Sequence, residues 1–234
     1  MKADYNKNIG PMADTSYNVH EAILGMLKAG KGKVLDLGAG FGLLSKKIGE
    51  LGYDVTACEL DPVRISHIRK IGLKCDKVDL NCKLPYNDRL FDIVISSDVI
   101  EHLTRPYDFI QEIGRVTKKG GMLIITTPNI MNWYSRIKFL FSGIYNNYFT
   151  EKEFEGDGYH ITPLHHLQLR FMLNRAGFVV EGMKSNQCTG LINCSSAKIF
   201  VASLLLLPVR GFMKPRNKIL LEGDILIVQA SKVK

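Results

Sequence analysis

The chain has 234 residues, 46% of them apolar and 23% charged, with a formal net charge of +8. That length allows one large domain or one domain with a cap, and the ordinary globular composition excludes disordered, collagen-like and coiled-coil classes. No apolar run reaches the roughly 18 to 20 residues of a membrane-spanning helix, and Met1 to Asn6 opens without a signal-peptide core.

Residues 1–32 read as a polar lead followed by a helix, with Val19, Ile23, Leu24 and Leu27 on one stripe. Lys33 to Leu37 is a first strand, and it runs into a glycine loop. Leu43 to Gly52 then has Leu44, Ile48 and Leu51 at helical spacing, with Gly52 as its stop. Tyr53 to Glu59 is the second strand, Pro62 to Lys70 a helix, and Leu73 to Asp79 the third strand. Leu90 to Ser96 is the fourth strand, and Pro106 opens a helix to about Lys118. Lys119-Gly120-Gly121 is expected to turn the chain into a fifth strand, Met122 to Thr127. Residues 128–162 are aromatic and irregular, and a stretch of that length between core elements reads as a lid or binding loop. A helix from Leu167 to Ala176, a sixth strand from Phe178 to Glu181 and a last strand from Gly223 to Ala230 complete the chain. Strands that are continuous apolar runs, separated by helices, imply an α/β fold of parallel βαβ units with helices on both faces.

Five cysteines (Cys58, Cys75, Cys82, Cys188 and Cys194) include no Cys-x-x-Cys pair. Free thiols in a reducing cytoplasm are therefore expected, and a structural zinc site is not. The charge is uneven. Residues 197–234 carry seven basic residues and two acids. Within them Ile199 to Leu207 is apolar apart from Ser203 and meets Pro208, Arg210, Lys214, Arg216 and Lys218. Nine helical residues rise about 13.5 Å, too short to span a bilayer. A helix packed on the core, a peripheral contact of 197–218 with anionic membrane, a wall for a lipid-linked substrate and a dimer seam all stay open.

The chemistry concentrates in Val34-Leu35-Asp36-Leu37-Gly38-Ala39-Gly40-Phe41-Gly42. Glycines at 38, 40 and 42 let the backbone turn tightly beside a ligand at a helix start. A dinucleotide fold asks for Gly-x-Gly-x-x-Gly, but position 43 is Leu. Asp36, two residues before the first glycine, suits a cationic ligand better than a pyrophosphate.

This segment resembles motif I of the class I S-adenosylmethionine-dependent methyltransferases. Other landmarks follow in order: Glu59-Leu60, Asp79-Leu80, Phe91 to Leu103 with its Glu101-His102 pair, Thr126-Thr127-Pro128-Asn129 and Ala176-Gly177-Phe178. The last three resemble the small-molecule branch, which includes quinone-precursor and glycan enzymes. The resemblance implies a Rossmann-like seven-stranded sheet in the order 3-2-1-4-5-7-6 with the last strand antiparallel. It implies a methyltransferase domain over 33–234, with a lid at about 128–162 and a helical insertion at about 189–218. It implies S-adenosyl-L-methionine as cofactor and S-adenosyl-L-homocysteine as product. The implied cofactor residues are Asp36, Gly38, Ala39, Gly40, Gly42, Glu59, Leu60, Asp79, Leu80, Ser96 and Ser97. Glu59 would take both ribose hydroxyls, Leu60 would pack on the adenine, and Asp79 would accept from its amino group.

Methyl transfer to a hydroxyl also needs a base. His102, just after the fourth strand, and His160, beyond the aromatic loop, are the candidates; His165 and His166 read as first-turn helix residues. No metal is expected, since no carboxylate joins the histidines at ligand spacing. The expected function is methyl transfer to a small-molecule, lipid-linked or glycan-linked acceptor, most simply at oxygen, by a monomer or homodimer and without nucleic acid. A non-catalytic cofactor-binding regulator and an NAD-dependent oxidoreductase are the alternatives.

Overall fold

The computed structural model describes residues 19–148, 159–186 and 223–234. The predicted insertion at 189–218, the basic apolar stretch 197–218, Cys188 and Cys194 all lie outside these residues.

Seven strands form one sheet: β1 (Lys33–Leu37), β2 (Asp54–Glu59), β3 (Lys74–Lys77), β4 (Phe91–Ser96), β5 (Thr117–Pro128), β6 (Phe178–Ser185) and β7 (Ile225–Lys232). Their order is β3-β2-β1-β4-β5-β7-β6, as the resemblance implied. β1 to β5 pair in parallel, and β7 runs antiparallel to both β5 and β6. Helices α1 (Leu43–Glu50), α2 (Pro62–Lys70), α3 (Pro106–Val116), α4 (Trp133–Ser142) and α5 (His166–Arg175) connect or cover it. Among the described residues no helix is long and apolar enough to cross a membrane.

The continuous apolar strands have a direct cause. Successive side chains point to opposite faces, and both faces are covered. Val34, Ile93, Ile95 and Ile124 point to one face, where they meet Val19, Ile23, Leu44 and Ile48. Leu35, Leu37, Val94, Leu123 and Ile125 point to the other, against Phe109, Ile110 and Ile113 of α3 and Leu169 and Leu173 of α5. The first contacts fix residues 19–24, which are helical, on the sheet.

Two local expectations change. Lys119-Gly120-Gly121 does not separate α3 from β5; the strand already begins at Thr117. The pairing jumps from Phe91↔Thr117 to Ile93↔Met122, so the glycine pair bulges out of a longer strand. The aromatic stretch after β5 holds a helix, α4, capped by the Asn132 side chain, which accepts from the Ser135 amide at 2.7 Å. Its Phe139, Leu140 and Phe141 are all exposed, so it lacks the apolar stripe that periodicity detects.

Between β1 and β4 the strand order reverses. The chain leaves β1 toward one side of the sheet and β4 toward the other, which opens a crevice beyond their carboxyl ends.

Candidate active site

β1 delivers the glycine loop to that crevice. The Gly38 and Ala39 amides donate to the Cys58 carbonyl at 2.9 and 3.0 Å, which ties the loop to the end of β2. Gly38 has φ 75°, and an added Cβ would stand 2.4 Å from Val99 Cγ2. Gly40 has φ 57°, and an added Cβ would meet nothing within 4 Å. One glycine therefore serves internal packing, and the next faces open space. Gly42, also left-handed, is the buried N-cap residue of α1.

Glu59 closes the loop from the side. Its Oε2 accepts from the Gly40 amide at 2.9 Å, and its Oε1 accepts from the Leu60 and Asp61 amides at 2.8 and 3.2 Å. Three backbone donors thus aim the fork, and the remaining acceptor capacity lies on Oε2, with the Arg64 guanidinium 4.0 Å away. Leu60 is 51% exposed at the rim, whereas the Leu80 side chain belongs to the core. Asp79 is exposed and accepts from the Asn81 amide at 2.9 Å. Ser96, at the end of β4, is fully buried, and its hydroxyl has no partner among the described residues. Ser97 bonds Thr126 Oγ1 at 3.3 Å.

Asp36 sits differently from a carboxylate open to the crevice. It is buried and accepts from Ser45 Oγ of α1 at 2.5 Å. Burial pushes its pKa up to about 6, opposed by the serine hydroxyl and reinforced by the Glu59 charge. Asp36 is thus coupled to Glu59, while Asp79 lies out at the rim.

The second half of the site lies beyond β4 and β5. Asp98 takes a left-handed backbone, φ 53°. Its amide donates to Thr126 Oγ1 at 2.9 Å, and that hydroxyl donates to Asp98 Oδ1 at 2.8 Å. The turn at Ile100–His102 is then stitched to residues 159–162. The Ile161 and Thr162 amides donate to the Glu101 carbonyl at 2.9 and 3.0 Å, and Thr162 Oγ1 donates to the Leu103 carbonyl at 2.8 Å.

These bonds bring the two predicted histidines together, with ring centroids 4.7 Å apart. His102 Nδ1 bonds the Tyr159 carbonyl at 2.7 Å, and His160 Nδ1 bonds the Asn147 carbonyl at 2.5 Å. A carbonyl only accepts, so Nδ1 is the donor in each ring. His165 and His166 have other work: His165 caps α5 and His166 opens it.

Sequence reading passed over Glu101 as a site residue. It is fully buried, and the Thr127 hydroxyl and its own backbone amide favour its charged form. Burial first, then the Asp98 charge, hold its pKa well above the ordinary glutamate range. Burial raises Asp98 as well, and a charge on His160 opposes that. One oxygen of Glu101 and one ring nitrogen each of His102 and His160 lie within 4.8 Å of one another. The available signal was an acid directly before a candidate histidine; its burial and the arrival of His160 were not visible.

Residues 35–125 match the methyltransferase domain family. A probable S-adenosylmethionine-dependent methyltransferase of Mycolicibacterium smegmatis is 28% identical over 152 residues, which cover 63% of this chain and 52% of that protein. The mitochondrial ubiquinone biosynthesis O-methyltransferase of Rattus norvegicus is 37% identical over 108 residues, 42% of this chain and 31% of the relative. The matches thus span about half or less of these relatives' length. Among solved structures, a SAM-dependent methyltransferase from Archaeoglobus fulgidus superposes with a TM-score of 0.65 at 21% identity, over 93% of each chain, a likeness of fold. Sheet order, glycine loop and the domain match over residues 35–125 together make the chain similar to the class I S-adenosylmethionine-dependent methyltransferases. The cofactor of that family is S-adenosyl-L-methionine. The site fits it: the Gly40 cradle is open, the Glu59 fork is aimed, and the buried Ser96 hydroxyl awaits a partner.

Proposed function

We propose that the protein transfers a methyl group from S-adenosyl-L-methionine to a hydroxyl oxygen of a small, lipid-linked or glycan-linked acceptor. One observation carries this reading: the glycine cradle and the His102–His160 pair lie beyond adjacent strands at the same edge of the sheet. The name of the rat relative supports oxygen as the methylated atom.

When bound, the cofactor supplies an electrophilic methyl on a sulfonium, already a good leaving group. In this reading Gly38, Ala39, Gly40 and Gly42 shape the cradle, and Glu59 holds the ribose hydroxyls. Leu60, Asp79 and the Leu80 backbone receive the adenine, while Asp36, Ser96 and Ser97 line the amino-acid side. Alignment of the acceptor oxygen with the methyl carbon is the main task left to the protein. The hydroxyl proton is taken up at the histidine pair. The lid expected over 128–162, of which 149–158 lie outside the described residues, would cover the acceptor and exclude water. A peripheral contact of 197–218 with anionic membrane, which would bring a lipid-linked acceptor close, rests on sequence alone; salt-sensitive flotation with anionic liposomes tests it.

The test is release of S-adenosyl-L-homocysteine across panels of quinols, hydroxylated aromatics, glycans and their lipid-linked forms. Turnover with a hydroxyl acceptor, lost in His102→Ala and His160→Ala, supports the reading. Tight cofactor binding with no turnover across every panel would favour a regulatory cofactor-binding module instead.

A further inference from the structure

We propose that Arg64 is a second ribose-binding residue, whose guanidinium donates to a cofactor hydroxyl that Glu59 also holds. The proposal rests on the ribose reading of Glu59 and extends it to a side chain outside the glycine loop and the strand ends. Arg64 Nη1 stands 4.0 Å from Glu59 Oε2. That gap is too long for a hydrogen bond, but a hydroxyl oxygen lying between the two groups reaches both at about 2.8 Å. The three groups are complementary. A hydroxyl donates one proton and accepts through its lone pairs, a carboxylate accepts, and a guanidinium only donates. The carboxylate oxygen concerned has room for such a bond: Oε2 takes one amide, from Gly40, whereas Oε1 takes two.

Local structure carries Arg64 to this place. It lies in the first turn of α2, where its amide and that of Val63 donate to Asp61 Oδ1 at 3.0 and 2.7 Å. Helical side chains lean toward the N-terminus of their helix, and here that end follows directly from Glu59 and Leu60. The guanidinium lies 5.7 Å from the centroid of the Phe41 ring, a contact that steadies a cation over an aromatic face. Phe41 follows Gly40, so the loop that bonds Oε2 also supports the arginine. The Phe41 carbonyl in turn bonds His67 Nδ1 at 3.0 Å, and the two rings meet edge-on at 5.5 Å, which holds the loop against α2.

The position is a poor one for stability. A cation in the first turn of a helix faces the positive end of the macrodipole, where an acid is favoured. Among the described residues the guanidinium makes no hydrogen bond, and its one ion pair is the 4.0 Å approach to Glu59. With the Arg64 side chain 48% exposed, that pair contributes little to folding. A charge placed against a local rule with no structural bond in return marks a functional position. The donors it keeps unspent face the oxygen assigned to the ribose.

The experiment is calorimetry of the full-length protein with S-adenosyl-L-homocysteine and with its 2′-deoxy and 3′-deoxy forms. Arg64→Met keeps an unbranched stem on Phe41 and deletes the donors. It should weaken binding of the intact ligand roughly 10-fold, the loss of one charge-assisted hydrogen bond. For one of the two deoxy forms, parent and variant should bind within about 2-fold of each other, because the hydroxyl that couples to Arg64 is gone. Thermal melting identifies the folded variants. Equal affinity of parent and folded Arg64→Met for the intact ligand overturns the proposal. So does an equal fractional loss with all three ligands, which would mean that Arg64 acts on the loop and touches no hydroxyl. Glu59→Ala on the same ligands separates this proposal from the reading beneath it: a loss in Glu59→Ala without one in Arg64→Met removes Arg64 alone, and unchanged binding in Glu59→Ala removes the ribose assignment itself.

Discussion

The two halves of the crevice are built in opposite ways. The cofactor half uses neighbours in sequence: Gly38 to Gly42 follow β1 directly, and Glu59-Leu60 end β2, which pairs with β1 from Lys33↔Asp54 to Leu37↔Cys58. Its bonds are mostly backbone amides to one carboxylate. The acceptor half draws Asp98 and Glu101 from after β4, Thr126 from β5, and Tyr148 and His160 from the following loops. Its bonds run between side chains and between side chains and carbonyls of separate segments. A local site can be nearly satisfied before its ligand arrives. A site assembled from distant segments depends on contacts that form only when the whole chain has folded.

This contrast can be broken by substitution. Glu59→Ala removes the acceptor of three amides and the proposed ribose contact. Cofactor affinity by calorimetry should fall on the order of 100-fold, from loss of two charge-assisted hydrogen bonds. Unchanged affinity would end the ribose assignment.

Gly38→Ala comes next. Its Cβ would stand 2.4 Å from Val99 Cγ2 on a left-handed backbone. A loss of about 1 to 3 kcal/mol in urea unfolding is expected. Gly40→Ala meets no atom within 4 Å, so its stability loss should be only about 1 kcal/mol of backbone strain. Its main effect should instead be on cofactor affinity, roughly 10-fold, because the methyl occupies the cradle. Equal stability losses in both variants would erase the division between the packing glycine and the ligand-facing one.

A smaller effect is the pH dependence set by Asp36. Its folded pKa is raised from 3.8 to about 6. The folded state therefore binds the proton more tightly than the unfolded state. Stability from this group is greatest at acid pH and falls as pH rises from about 4 to 6, then levels off. Urea unfolding should show that slope, and Asp36→Asn should flatten it. Cofactor binding should strengthen over the same interval, as the ionised carboxylate meets a cationic ligand. The smallest change tests the independence of the halves: His160→Ala should alter cofactor affinity by no more than about 2-fold, as separate sites do.

Much of the fold was legible because apolar runs and glycine stops mark each βαβ unit. α2 was read correctly from Pro62 to Lys70, and β1 from Lys33 to Leu37. The start of β5 was missed because Lys119-Gly120-Gly121 is turn chemistry used within a bulge. Helix α4 was missed because its aromatic residues show no buried stripe. In the site, His102 and His160 were singled out by residue type, but their contact and the buried Glu101 beside them were hidden. Burial depends on what folds over a residue, and that information lies elsewhere in the chain.

The amino-acid order by itself determined the α/β class, the glycine loop and the position of Glu59, because each depends on residues close in sequence and on backbone conformation. Tertiary structure alone decided that Asp36 is shielded by Ser45, that Gly38 and Gly40 serve different ends, and that two histidines lie close to a buried acid. Those outcomes depend on distance and desolvation between segments far apart along the chain, which no local pattern encodes.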